Sequence, residues 1–389
     1  MSMKIFLFAA LLVGSLGGLR AQESQESDWQ RRFEGQIGNG LGITLLLSAS
    51  VQEDGVSTYD GSYYYHKTGV PISLSQVSSD DEGAVRLREN EAFNGSETFT
   101  GEWKVKLKGQ VIAGTWSSPD GKKQLPIELK ESYPAGSVKV VTTALKAVNT
   151  LRKNTRNQGR EIEVRYVQLA SESKAAKAIN RVLRQDAHNV PTGGEGDAQG
   201  EKVPENPSEN DILKALTQAA QNTAEVSDDD EFTYVFSAMD EQKVVMNDHG
   251  YLTIEYLTWA YEGGAHGNSS KSYRCFDLET GEEVMLLDLI KPGYDKHWAG
   301  AAANLLREQR GLKAKDPLTE AGLFEDRLEL NETWYLTPGG IGFSYDPYEI
   351  GPYAMGYVEF VLPWKDILAD VKPDTRVFQF ASPIAARAK

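Results

Sequence analysis

Apolar and polar residues alternate in short runs through the first third of the chain, and a period of two predicts strands rather than helices. Eight such runs stand out: Arg32 to Ile37, Ile43 to Leu47, Gly61 to Tyr65, Ile72 to Leu74, Val85 to Arg88, Phe99 to Leu107, Val111 to Trp116 and Leu125 to Leu129. Turn signals such as Gly38-Asn39-Gly40, Glu53-Asp54-Gly55, Asn94-Gly95 and Asp120-Gly121 separate them. The pattern predicts an all-β unit over residues 29–132, an antiparallel meander that closes as a small barrel.

Within those runs a Gly-x-aromatic element recurs at Gly61-Ser62-Tyr63, Gly101-Glu102-Trp103 and Gly114-Thr115-Trp116. Glycine inside a strand marks a bend or a close backbone approach, and the aromatic two residues on points to the same face. Small barrels turn corners and fill their interiors with that combination. The strand grammar resembles the small barrels of the avidin and lipocalin type, a likeness of architecture that brings no ligand motif. In Tyr63-Tyr64-Tyr65-His66, alternate tyrosines are expected as core and rim and His66 as a solvated turn residue, ahead of a glycan-stacking surface.

After Pro134-Ala135-Gly136-Ser137, which reads as a linker, the pattern changes. Strand-like Val138 to Val141 and Ile162 to Tyr166 precede a helical repeat from Lys174 to Gln185, with Ile179, Val182 and Leu183 on one face. Residues 189–210 are rich in Pro, Gly, Glu and Asn and read as a mobile insertion. A second helix is expected from Glu209 to Val226, and the acidic run Asp228 to Glu231 as a solvated turn. Strands follow at Phe232 to Met239, Lys243 to Met246, Tyr251 to Tyr261, Ser272 to Phe276 and Val284 to Leu287. The helix Asp295 to Arg310 carries Trp298, Ala302, Leu305 and Leu306 as one stripe. Then come strands Glu332 to Leu336, Gly340 to Tyr345 and Tyr357 to Leu362, and a short helix from Trp364 to Ala369. Strands grouped around few helices predict an α+β unit with antiparallel pairing over residues 138–380.

Composition adds the compartment. The N-terminus, with Lys4 before the apolar run Ile5 to Val13 and small residues leading to Ala21-Gln22, predicts a signal peptide over residues 1–21. No later stretch is long and apolar enough to cross a bilayer, so a periplasmic or secreted protein is expected. Cys275 is the only cysteine, which excludes an internal disulfide. It is expected as a small buried hydrophobe rather than a reactive thiol. The net charge of −15 makes nucleic acid a poor partner and a basic protein a better one.

Candidate chemistry concentrates in two irregular stretches: Tyr261-Glu262-Gly263-Gly264-Ala265-His266-Gly267, and Pro347 to Gly356 with Tyr348, Glu349 and Tyr353. Gly and Pro exclude regular structure there, and loops on a scaffold are where binding groups tend to sit. Tyr261, Glu262, Gly263, Gly264, His266, Tyr348, Glu349 and Tyr353 are the candidate binding residues. His266 could serve as base, metal ligand or polar contact, but two loops bracing each other is the favoured reading. Hydrolase elbows, zinc motifs, phosphate loops and Cys-x-x-Cys are absent from the sequence, and no cofactor or metal set is read from it.

Six short stretches in order carry a resemblance: Tyr261 to Gly267; Phe276 to Val284; Leu287 to Ile290; Trp334 to Phe343; Tyr348 to Gly356; and Phe360 to Trp364. They resemble the extracytoplasmic domain found in the lysozyme-sensing anti-sigma factor RsiV and beside the catalytic domain of the peptidoglycan deacetylase PdaC. The resemblance covers roughly Val138 to Phe380 and implies an α+β fold, a place at the cell envelope and no catalysis by this domain. An exported protein that binds an envelope protein or glycan, or a basic lysozyme-like hydrolase, is expected. A carbohydrate-acting hydrolase using His266 with Glu349 or Glu262 is the alternative.

Overall fold

The computed structural model describes residues 19–22, 28–51, 56–80, 83–90, 99–153, 156–189, 203–221, 235–263 and 265–387. The first strand, β1 (Leu19–Gln22), belongs to the later sheet, where it pairs with Asn149 to Lys146. The rest of the expected signal peptide, most of the 189–210 insertion and the Asp228 to Glu231 run lie outside the described residues.

Eight strands then form a closed antiparallel barrel: β2 (Trp29–Ile37), β3 (Leu41–Val51), β4 (Ser57–Tyr65), β5 (Ile72–Ser79), β6 (Val85–Asn90), β7 (Phe99–Lys108), β8 (Val111–Ser117) and β9 (Gln124–Glu131). Each pairs with its successor, and β2 closes on β9 from Phe33↔Glu131 to Ile37↔Ile127. All eight strands predicted from alternation are present. Phe33, Ile37, Ile43, Leu45, Leu87, Trp103, Ile112 and Ile127 fill the interior. Two glycines of the Gly-x-aromatic elements are close approaches. A Cβ on Gly61 would lie 2.1 Å from the Leu46 carbonyl oxygen, and one on Gly114 2.0 Å from that of Lys104.

The second unit is a seven-stranded sheet with helices, joined to a three-stranded sheet. Long strands β10 (Val140–Lys153) and β11 (Arg156–Leu169) form a hairpin, and α1 (Lys174–His188) and α2 (Glu209–Gln221) follow. Ser173 caps α1, its Oγ accepting from the Ala176 amide at 3.0 Å. Next come β12 (Val235–Asp248), β13 (Tyr251–Tyr261), β14 (Asn268–Asp277) and β15 (Glu283–Val284). Expected antiparallel pairing fails at one place, because β11 and β12 run parallel. The chain between them crosses over through α1 and α2, which returns the strand in the same direction. The two strands expected over 232–246 are one, bent at a bulge between Val244 and Met246. Val284 to Leu287, expected as a strand, splits into β15 and the helical turn α3 (Leu286–Leu289).

Past α4 (Asp295–Gln309), the hairpin β16 (Trp334–Thr337) and β17 (Gly340–Tyr345) adds β18 (Val358–Pro363), then α5 (Trp364–Ile367) and α6 (Arg376–Arg387). Helix α6 carries Pro383, which argues against a helix in the sequence and explains why none was expected there. Trp298, Ala302 and Leu306 of the α4 stripe pack with Phe343, Phe360, Trp364 and Val377 in one core. Cys275 is buried, and burial pushes its thiol up to about 12.

The two units share a tightly bonded boundary. Leu46, on the outside of the barrel, packs into the core that holds Val167, Ile179, Leu183 and Val244. Gln30 donates to the Gln242 carbonyl at 2.9 Å and accepts from the Val244 amide at 2.8 Å. The guanidinium of Arg32, 1 % exposed, donates to the carbonyls of Asn247 and Ser132 and to the carboxylates of Glu34 and Asp248. Of the alternating tyrosines, Tyr63 and Tyr65 belong to the barrel core and its margin, and Tyr64, on the other face, donates its hydroxyl to Asp248 across the boundary. Burial works against the charged form of Asp248, but His249, Tyr64 and Arg32 outweigh it and hold the carboxyl below its ordinary range.

Candidate functional site

The two loops singled out in the sequence meet. His266 stacks on Tyr353 with ring centroids 3.9 Å apart and planes at 19°. The Tyr353 hydroxyl donates to the Gly267 carbonyl at 3.0 Å, and His266 Nδ1 lies 2.9 Å from the same oxygen. Gly267 has no room for a side chain, because a Cβ there would lie 2.6 Å from Trp259 Nε1. Tyr348 continues the ring series at 5.4 Å from Tyr353. It is 56 % exposed and has a φ of 74°, uncommon for a tyrosine.

The carboxylates of these loops look elsewhere. Glu349 accepts from Asn331 Nδ2 at 3.0 Å and from the Asp346 amide at 2.9 Å. Glu262 is exposed and faces Arg160, whose pKa burial lowers and Glu262 raises. Among the described residues no hydrogen bond or ion pair joins His266 to either carboxylate. Tyr261 ends β13 opposite Ser237, Gly263 takes a φ of 97°, and Gly264 lies outside the described residues. The arrangement is a brace that leaves an exposed aromatic ladder.

A more concentrated piece of chemistry lies at the mouth of the barrel. The three Gly-x-aromatic elements converge on Glu89 of β6, which is 3 % exposed. Its Oε1 accepts from the Tyr63 hydroxyl at 2.7 Å, Trp103 Nε1 at 2.9 Å and Trp116 Nε1 at 2.6 Å, and its Oε2 from Thr100 Oγ1 at 3.0 Å. Gly101 makes the room: a Cβ there would lie 2.3 Å from Trp116 Nε1 and 2.5 Å from Glu89 Oε2. Burial and the Glu89 charge push the Tyr63 hydroxyl far above its ordinary value, so it stays a donor.

This mouth opens into a cleft of about 850 Å³ between the units. The barrel contributes Tyr65, Val70 to Ser73, Glu89, Thr100 and Trp116, and the second unit contributes Glu308, Tyr335, Glu359 and Lys365. Behind Glu359 stands a buried ionic cluster. Its Oε1 accepts from Lys271 Nζ at 3.0 Å, the Tyr273 hydroxyl at 2.9 Å and Ser344 Oγ at 3.1 Å. Lys271 also pairs with Glu255 at 3.1 Å. Burial opposes both charges. Glu359 and Glu255 nonetheless hold the Lys271 ammonium above its usual value, and Lys271 and Lys243 hold the Glu255 carboxyl below its own. Tyr335 stacks on Tyr273 at 4.5 Å and lies over Gly342, where a Cβ would meet its ring at 2.1 Å. The Trp334 to Phe343 motif is thus a platform for one tyrosine at the cleft wall.

The two inner carboxylates of the cleft are committed to partners: Glu89 holds four neutral donors and Glu359 is tied to a lysine, while Glu308 is exposed at the rim. What the cleft offers is fixed rings and fixed charge. Among the described residues no group of three His, Cys, Asp or Glu side chains could hold a metal ion. Sequence reasoning passed over Glu89, although the alternation of Val85 and Leu87 puts it on the inward face of β6.

Two family models match consecutive parts of the second unit. Residues 153–269 match the one described as deacetylase PdaC, and residues 287–365 match the one described as a protein of unknown function, DUF3298. The RsiV/PdaC-type resemblance of this unit therefore holds, with an eight-stranded barrel in front of it. Among solved structures the chain is similar to a DUF3298 family member from Bacteroides fragilis, with 19% identity and a TM-score of 0.47, covering 63% of this chain and 99% of that one. It is also similar to a DUF3298 family protein from Pseudomonas aeruginosa PAO1, with 17% identity and a TM-score of 0.46 over the same shares. No curated protein matches the chain.

Proposed function

We propose that this is an exported envelope protein that binds its ligand noncovalently in the cleft between barrel and second unit, and that the ligand is a glycan of the envelope. The observation that carries the reading is the cleft itself. Tyr65, Trp116 and Tyr335 stand at its walls, and carboxylates locked by hydrogen bonds stand among them. Rings that stack on sugar faces, and acceptors that need no reorganisation, suit recognition more than turnover. A pocket of this volume holds a ligand of a few sugar units.

Export rests on the N-terminal sequence, and no helix of the described residues is long and apolar enough to cross a membrane. Cleavage after Ala21 would remove three residues of β1 and leave β10 as the edge of the sheet. Mass measurement of the mature N-terminus checks this, and a chain that keeps Met1 to Ala21 would contradict it.

Titration calorimetry with solubilised peptidoglycan fragments tests the binding reading. Binding that Trp116→Ala weakens by tenfold or more, about 1.4 kcal/mol, supports it. Unchanged affinity in Trp116→Ala and Tyr335→Leu together would move the site out of the cleft.

The exposed Tyr348–Tyr353–His266 ladder favours a second reading, contact with a basic protein such as a lysozyme-like hydrolase. The net charge of −15 would steer such a partner. Association that slows with added salt and is lost in Tyr348→Ala supports this reading; salt-independent association contradicts it.

A further inference from the structure

We infer that the cleft selects a saccharide carrying a free primary amine, so that an ammonium group sits against the rings around Glu89. This rests on the cleft-binding reading and adds the charge of the ligand to it. Glu89 is 3 % exposed, and all four groups that donate to it are neutral: Tyr63, Trp103, Trp116 and Thr100. Among the ion pairs of the described residues, none involves Glu89. The other deep carboxylate of the cleft, Glu359, already has Lys271. Lys123 Nζ lies 5.9 Å from the centroid of the Trp116 ring but is exposed and does not line the cleft. A negative charge at the floor of the cleft therefore keeps an attraction for a cation on the cleft side, in a place where solvent screens it little.

The rings sharpen that attraction. An indole or phenol that donates its N–H or O–H to a carboxylate gains electron density on its faces, and those faces attract cations. Trp116 is half-buried, with its N–H on Glu89 and its ring at the cleft wall. Tyr65 also lines the cleft, with its ring centroid 5.4 Å from that of Tyr63. At the rim, exposed Glu308 answers the single lysine, Lys365. Ser73, Thr100 and Gln309 supply hydroxyl and amide partners for a sugar. A neutral acetamido group gains the stacking but not the charge, and an anionic sugar is repelled.

The test is calorimetry on the full mature chain with two probes of equal length, an oligomer of glucosamine and its N-acetylated counterpart, at mildly acidic pH where the amine is protonated. Wild type is expected to bind the amine form at least about tenfold more tightly. Glu89→Gln keeps an acceptor for the indoles and removes the charge, and it is expected to bring the ratio of the two affinities down to about one, with folding checked by circular dichroism. Equal or tighter binding of the acetylated oligomer by wild type would overturn the inference and leave the cleft-binding reading standing. A preference that survives in Glu89→Gln would overturn it too. Binding of neither oligomer would overturn both.

Discussion

The loop pair and the barrel mouth make opposite impressions in sequence and in structure. The Gly-Gly-Ala-His corner and its Tyr-Glu-Ile-Gly-Pro-Tyr counterpart stand out in the sequence, yet their side chains mostly hold each other, through the Tyr353 hydroxyl on Gly267 and the His266 stack. The barrel mouth is spread over four strands, and in the sequence its Gly-x-aromatic elements point only to corners and interior filling. In three dimensions it gathers Tyr63, Trp103 and Trp116 on one carboxylate. Unusual local composition reports a demanding backbone path. A polar residue at an inward strand position reports a buried demand that other side chains must meet, and that is the better marker of a built site.

That contrast can be broken most easily at Glu89. Glu89→Ala leaves four donors unmet, of which those of Tyr63 and Trp103 are buried. At roughly 1–3 kcal/mol for each buried one it is expected to cost about 4 kcal/mol, read from urea unfolding followed by tryptophan fluorescence. A loss below about 1 kcal/mol would mean that the convergence is incidental. Next in size is the boundary that shapes the cleft. Arg32→Met strands Asp248 and Glu34 and is expected to cost about 3 kcal/mol, with loss of cleft binding.

Acidification sharpens the picture on the second wall. Glu255 and Asp248 are both held below the ordinary carboxylate range, so the stability they add is complete above about pH 4 and is lost as pH falls through their lower folded values. Glu255→Gln should flatten that acid limb by about 1–2 kcal/mol in urea midpoints taken across it, and an unchanged limb would contradict the assignment. The smallest effect belongs to the loops. His266→Ala removes one exposed stack and is expected to cost about 1 kcal/mol or less, with cleft binding unchanged.

The barrel was legible because alternation reports strands directly, and each of its eight runs became a strand. So was the amphipathic stripe of α4. What escaped was long-range. The parallel pairing of β11 with β12 depends on where a crossover returns, and α6 runs through Pro383 because packing of Val377, Ala381 and Ile384 outweighs a local penalty. The Gly-x-aromatic elements signal corners and interior filling, and Gly61 and Gly114 are such close backbone approaches. Their common target could have been found by extending the alternation of Val85 and Leu87 one step to Glu89. The cleft could not, because its barrel wall comes from residues 63–116 and its second wall from residues 305–365, whose apposition depends on Arg32, Gln30 and Leu46 at the unit boundary.

The most direct test of the claim that the barrel mouth binds and the loop pair braces is side-by-side calorimetry with a glucosamine oligomer on wild type, Trp116→Ala and His266→Ala, with folding checked by circular dichroism. The account predicts at least about tenfold weaker binding in Trp116→Ala and wild-type affinity in His266→Ala. Loss of binding in His266→Ala with full affinity in Trp116→Ala would contradict it.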